Sequence, residues 1–262
     1  MSKRHPRDVD ARPPRILAPV MHIDYDGPED GVPLVLLHGG IGTGRYHWSK
    51  QVKGLTAAGF RLHMPDLPGH GHTPVGEGTY SRQMLVDAVR AHLQTLERPP
   101  IVAGFSMGGH TALALAEDHP ELFAGLVVVG VSVRDHDGLR RWRTNFDPDV
   151  LEERYELWAK QLSKLHAPLG GPDAWREVCN RDSGGLKVDV DLDKLQRLDV
   201  PTLLIRGDGD TTVDPSHFAE LRAIWPHAEE FVVPGGGHDV QLTRSRVVAP
   251  GLLDFLGRAV DA

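Results

Sequence analysis

Gly104-Phe105-Ser106-Met107-Gly108 sets a serine between glycines, directly after the apolar run Ile101-Val102-Ala103 and before an Ala/Leu-rich helical stretch that reaches Glu117. A serine on a sharp strand-to-helix turn has strained backbone geometry and little room beside it, and flanking glycines let the neighbouring elements approach closely. In such a nucleophile elbow the Ser106 hydroxyl would project above a sheet. A hydroxyl is a weak nucleophile at neutral pH, so acyl transfer needs a histidine to take its proton and a carboxylate to orient that histidine. Both residue types lie downstream, in the order that follows a nucleophile elbow. Gly207-Asp208-Gly209-Asp210 follows the apolar run 202–206, and Pro234-Gly235-Gly236-Gly237-His238 follows the run 231–233. His238 is the expected general base. Asp210 is the expected acid, with Asp208 and Asp214 as alternatives that could instead cap the helix beginning near Pro215.

Attack on a carbonyl builds an oxyanion, which two backbone N–H groups can stabilise. One donor is expected from Met107, the residue after the serine. The other is expected from the stretch His38-Gly39-Gly40-Ile41-Gly42-Thr43-Gly44, where glycines permit close backbone approach. Gly40 is the expected donor, with Gly39 and Ile41 as alternatives because sequence does not fix the register. This stretch lacks the G-x-x-x-x-G-K-[ST] order of a phosphate loop and is not an uninterrupted G-x-G-x-x-G dinucleotide signature.

The elements that must position these residues are legible as an alternation. Apolar, β-rich runs at 32–37, 60–64, 101–105, 126–133, 202–206 and 230–233 alternate with helical patterns at 80–97, 107–117, 216–223 and 247–260. That is the mark of an α/β fold with a mostly parallel sheet covered by helices. Residues 18–25 read as a further strand at an edge. The alternation breaks between 134 and 195, where aromatic-bearing helical segments replace strand-like runs. The expected organisation is a flexible basic tail over 1–15, a core formed by 16–133 and 196–262, and a small helical cap over 134–195. Within the cap, Trp142, Tyr155 and Trp158 are expected to meet substrate, or else to fill the cap's own core. Arg140, Arg141 and Arg143 could face an anionic substrate or form a solvated helix face.

The length of 262 residues allows one large core, and the net charge of −7 gives no electrostatic footprint for nucleic acid. Lys3, Arg4, Arg7, Arg12 and Arg15 lie among prolines in the tail and read as solvated. No apolar stretch approaches the ~18 residues of a membrane helix, and the first residues lack a signal peptide's apolar segment. The expected location is cytoplasmic, with no membrane partner. Cys179, the single cysteine, cannot form an internal disulfide and reads as structural.

Taken together, His38-Gly39-Gly40, Asp66-Leu67-Pro68-Gly69-His70-Gly71, Gly104 to Gly109, Gly207 to Asp210 and Gly237-His238 resemble the α/β-hydrolase superfamily. The resemblance covers nearly everything except the tail and the 134–195 insertion. It implies an eight-stranded, mostly parallel sheet, a Ser106-Asp210-His238 triad and a lid after the sixth strand. Ser106 separates the chain from the haloalkane dehalogenase and epoxide hydrolase branches, which carry aspartate there. His38 is expected to organise the oxyanion loop, His70 and His72 to hold a turn, and His110 and His119 to serve packing or a helix end. No metal or organic cofactor is required by such a site. The expected activity is hydrolysis of an ester, thioester or lactone of a small organic molecule. A carbon–carbon bond hydrolase or cofactor-free perhydrolase is the alternative on the same residues, and a non-catalytic ligand-binding protein the reading from another class.

Overall fold

A computed structural model of the chain describes residues 20–260, apart from the Trp142 side chain. The expected basic tail over 1–15 lies outside the described residues. The sheet runs in the order β1-β3-β2-β4-β5-β6-β7. Its strands are β1 (Ile23–Asp26), β2 (Val32–Leu37), β3 (Phe60–Pro65), β4 (Ile101–Phe105), β5 (Gly125–Val129), β6 (Thr202–Gly207) and β7 (Glu229–Val233). Only β1, on β3, pairs antiparallel. The remaining neighbours pair in parallel.

Helices α1 (Gly44–Trp48), α2 (Val52–Ala57), α3 (Arg82–Leu93) and α4 (Met107–Asp118) precede the insertion. Helices α5 (Asp137–Arg143), α6 (Pro148–Arg154), α7 (Glu156–His166), α8 (Ala174–Gly184) and α9 (Leu192–Leu195) lie between β5 and β6. After β6 come α10 (Pro215–Ile224), α11 (Val240–Thr243) and α12 (Ser245–Val260). Because side chains alternate across a strand, each central strand feeds two cores. Val35, Leu37, Val102 and Val128 pack toward α3, α4 and α10. Leu34, Leu36, Ala103 and Val127 pack toward α2 and α12. Burial on both faces is why β4 and β5 read as unbroken apolar runs.

Two expectations change. Among the described residues the sheet has seven strands where eight are implied, and the helical insertion follows the fifth of these seven where the sixth is implied. The antiparallel β1 takes the edge beside β3, and residues 20–22 before it are not strand, so the described chain supplies no outer strand beyond it.

The insertion is closed at its base by backbone bonds from the Asp135 N–H to the Val188 carbonyl and from the Val190 N–H to the Val133 carbonyl, each 2.9 Å. Beyond this pinch Leu195 and Leu198 rejoin the main core, so the excursion closes before residue 195. Phe146, Leu151, Leu162, Trp175, Val178 and Cys179 form the insertion's own core, which also takes in Ile41 from the glycine loop after β2. Cys179 is buried and unpaired, and burial pushes its thiol up to about 12.

Candidate active site

Ser106 stands between β4 and α4 with φ 47 and ψ −114, backbone angles that a non-glycine residue rarely adopts. The turn is possible because its glycines have no side chains. A Cβ on Gly104 would lie 2.6 Å from the Gly108 carbonyl oxygen, and one on Gly108 would lie 2.6 Å from that of His38. The Ser106 N–H donates to the Val129 carbonyl at 2.9 Å, fixing the elbow to the neighbouring strand.

The loops after β6 and β7 are tied to each other. The Asp208 N–H donates to the Val233 carbonyl at 3.2 Å and the Gly209 N–H to that of Gly236 at 2.9 Å. This lacing sets Asp210 against His238. The His238 Nδ1 lies 2.9 Å from Asp210 Oδ2, and His238 Nε2 lies 3.0 Å from Ser106 Oγ. Both side chains of the His–Asp pair are almost fully buried. Asp210 Oδ1 accepts the N–H groups of Thr212 at 2.7 Å and Val213 at 3.1 Å. Burial alone would raise the Asp210 carboxyl, but His238 and these two N–H donors hold it below the ordinary aspartate value. The alternatives stand elsewhere. Asp208 is exposed, and Asp214 caps α10 by accepting the Ser216 N–H at 2.9 Å.

The glycine loop after β2 has a similar division of labour. The Gly39 N–H donates to His47 Nδ1 at 3.2 Å, and the Ile41 N–H donates to Asp182 Oδ2 at 2.6 Å. Between them the Gly40 N–H has no partner among the described residues. The Met107 N–H belongs to the first turn of α4, where amides lack intrahelical acceptors. Gly40, Met107 and Ser106 border one cavity. His38 bridges this loop to the Asp66–Gly71 turn, donating from Nδ1 to the Gly39 carbonyl and accepting the Leu67 N–H at Nε2, each at 2.8 Å. Burial, with His70 nearby, keeps its imidazole neutral far below the usual range, as an accepting nitrogen requires.

Asp182 was not singled out by the sequence. Its carboxylate also lies 3.0 Å from His70 Nε2 and accepts the Tyr80 hydroxyl at 3.3 Å. A signal for it does exist. Trp175, Val178, Cys179 and Asp182 are the buried residues of α8, so an aspartate continues an apolar stripe at helical spacing. His110, expected to serve packing, accepts the Ser132 N–H at 3.0 Å and also borders the cavity.

The cavity beside Ser106 has an empty volume of about 610 Å3, open solvent at its mouth included. Its apolar wall comes from the insertion, as Leu139, Phe146, Leu186 and Val188. Arg82, Arg143 and Lys187 border it as well. Arg143 donates to the Leu186 carbonyl at 2.6 Å, while Arg140 and Arg141 are exposed. Tyr155 and Trp158, expected to meet substrate, do not line this cavity. Tyr155 is 54% exposed, and Trp158 packs against the insertion's own core because α7 turns Ala159 and Leu162 inward. The Trp142 side chain lies outside the described residues. No helix among the described residues is long and apolar enough to cross a membrane.

A mostly parallel sheet with a strained serine at one strand's end and a histidine and an aspartate on loops after later strands is the arrangement of the α/β-hydrolase class. Residues 34–250 match the alpha/beta hydrolase family, and the chain belongs to it. It is 29% identical over 252 residues to the pimeloyl-[acyl-carrier protein] methyl ester esterase of Vibrio cholerae, covering 87% of this chain and 95% of that one. It is 27% identical to an sn-1-specific diacylglycerol lipase of Mus musculus, covering 95% of this chain and 87% of that one. In fold it is similar to a carboxylesterase structure from Nitrososphaera gargenis, with a TM-score of 0.74 at 21% identity over 92% of this chain and 95% of that one.

Proposed function

We propose that the chain is a serine hydrolase that cleaves a carboxylic ester, thioester or lactone of a small organic molecule through an acyl-enzyme intermediate. Ser106 Oγ attacks the carbonyl carbon while His238 Nε2 takes its proton, and His238 then returns that proton to the leaving group. Asp210 holds the imidazole in the tautomer whose Nε2 accepts the Ser106 proton. The amides of Gly40 and Met107 receive the developing oxyanion. Water, activated by His238 in the same way, then releases the acid and restores Ser106. The acyl group lies along Leu139, Phe146, Leu186 and Val188.

The observation that carries this reading is the hydrogen-bonded line from Ser106 Oγ through His238 to Asp210, at 3.0 and 2.9 Å. The ester-cleaving relatives named above support the same bond type. Intact-protein mass after exposure to a small fluorophosphonate tests it without requiring the natural substrate. A single phosphonyl adduct on the wild type, absent from Ser106→Ala and from His238→Ala, is expected. No adduct on folded wild type, together with no turnover across a panel of acyl substrates, would move the assignment to a ligand-binding protein.

A further inference from the structure

His22, Asp66 and His72 each offer a ligand atom, and these atoms all lie within 4.8 Å of one another. None of the three lines the Ser106 cavity. The backbone fixes their placement. The Asp66 N–H donates to the His22 carbonyl at 2.9 Å, the His22 N–H donates to Thr73 Oγ1 at 2.9 Å, and the His72 N–H donates to Asp66 Oδ2 at 3.0 Å. The segment before β1, the end of β3 and the turn that follows are thus bound to one another around the cluster.

The geometry has the scale of a metal centre. His72 Nδ1 lies 3.2 Å from Asp66 Oδ2. Tetrahedral Zn2+ with ligand bonds of about 2.0–2.1 Å separates its ligand atoms by about 3.3 Å. The His22 and His72 rings face each other with centroids 4.4 Å apart. Holding the turn needs only Asp66 and the His72 amide, and does not call for a second imidazole at that distance. Asp66 is 2% exposed, whereas the His72 and His22 side chains are 54% and 39% exposed, so an ion would find a buried carboxyl anchor with open access from solvent. Two imidazoles and one carboxylate favour a borderline transition metal over Mg2+ or Ca2+. Asp24 Oδ1, 3.8 Å from His22 Nε2, is placed to orient that ring.

We infer that His22, Asp66 and His72 form a divalent transition-metal site, best matched to Zn2+, with solvent completing the coordination. The site is independent of the proposed ester chemistry. Its effect falls on stability, because an ion bound only by the folded chain favours the folded state. Asp66 Oδ1 also accepts the Gly44 N–H at 3.3 Å, so the ion would secure the start of α1, next to the glycine loop.

Calorimetric titration of Zn2+ into chelator-treated protein, paired with thermal unfolding, tests the assignment. One equivalent should bind and raise the unfolding midpoint, while Mg2+ does neither. His22→Ala and His72→Ala, at accessible positions that leave Asp66 in place, should each weaken Zn2+ at least ~10-fold and remove the thermal shift. Absence of saturable Zn2+ binding by the wild type, or wild-type affinity in either variant, would overturn the site.

Discussion

The Asp182 carboxylate, carried by α8 of the helical insertion, accepts the Ile41 N–H at 2.6 Å and so ties the insertion to the glycine loop beside Ser106. Ile41 has φ 51, a left-handed conformation costly for a β-branched residue. The bond to Asp182, and that from His166 Nε2 to the Ile41 carbonyl at 3.0 Å, hold it there. With Ile41 and Gly39 both engaged, Gly40, which borders the cavity, keeps an amide without a partner among the described residues. Burial by itself would raise the Asp182 carboxyl, but His70 and the Ile41 amide hold it below the ordinary aspartate value.

Asp182→Ala is therefore expected to slow fluorophosphonate labelling and lower kcat/KM by at least ~10-fold, since about 1.4 kcal/mol of lost oxyanion stabilisation is tenfold in rate. It should also destabilise the fold by about 1–3 kcal/mol, because the Ile41 N–H and the Tyr80 hydroxyl lose their buried acceptor. Asp182→Asn, whose amide oxygen can still accept the Ile41 N–H, should recover part of both. An alanine variant that loses stability yet labels at the wild-type rate would reduce Asp182 to a packing role.

The strain at Ser106 can be measured separately from its chemistry. Ser106→Ala removes the hydroxyl but keeps a Cβ at φ 47, whereas Ser106→Gly removes both. Relief of a strained conformation of this kind is worth about 1–3 kcal/mol, and glycine's extra freedom in the unfolded chain costs about 0.5–1 kcal/mol. Urea unfolding should show the glycine variant to be more stable than the alanine variant by about 1 kcal/mol. Equal stabilities would mean that the elbow stores no strain.

The parts of the candidate site that the sequence makes legible are those that glycines punctuate. Ser106, Asp210 and His238 each follow a strand-like apolar run and sit among glycines, and the structure brings their side chains into one line. The register of the glycine loop is not legible, because Gly39, Gly40 and Ile41 differ only in which partner takes each amide, and the partner of Ile41, Asp182, comes from a distant position in the chain. The lining of the cavity is not legible for a related reason. Aromatic residues on a helix declare an apolar preference but not the body they pack against, so Tyr155 and Trp158 stand out in the sequence while Leu139, Phe146, Leu186 and Val188 border the cavity.

Buried neutral histidines give the fold a definite response to acid. Burial is the main cause that lowers His47 and His110 to about 3 and His166 to about 4. Each uses a ring nitrogen as an acceptor, for the Gly39, Ser132 and Gly71 N–H groups respectively. An unfolded histidine titrates near ~6.5, so between that value and the folded one the unfolded chain binds more protons. The stability these groups supply is full above ~6.5 and is lost as pH falls toward 4 and below, at up to about 1.4 kcal/mol per pH unit for each. The urea midpoint should decline steadily from pH 7 to pH 5. A midpoint unchanged across that interval would contradict the neutral, accepting state of these rings.

The cavity wall predicts which changes alter substrate choice. Leu186 is half-buried in a loop that borders the Ser106 cavity, so its enlargement narrows the space for an acyl chain without forcing a helix apart. Arg143 holds this loop through the Leu186 backbone carbonyl, a contact that a side-chain change leaves in place. One methylene gained or lost in an apolar pocket is worth about 1–3 kcal/mol of discrimination. Leu186→Trp should thus lower kcat/KM for longer p-nitrophenyl esters at least ~10-fold more than for the acetate. Tyr155→Ala, at an exposed position outside the cavity, should leave that ratio within about twofold, because surface changes away from a site have small effects. The opposite pattern, with chain-length preference following Tyr155 and indifferent to Leu186, would place the acyl chain against α7 instead of along the wall formed by Leu139, Phe146, Leu186 and Val188.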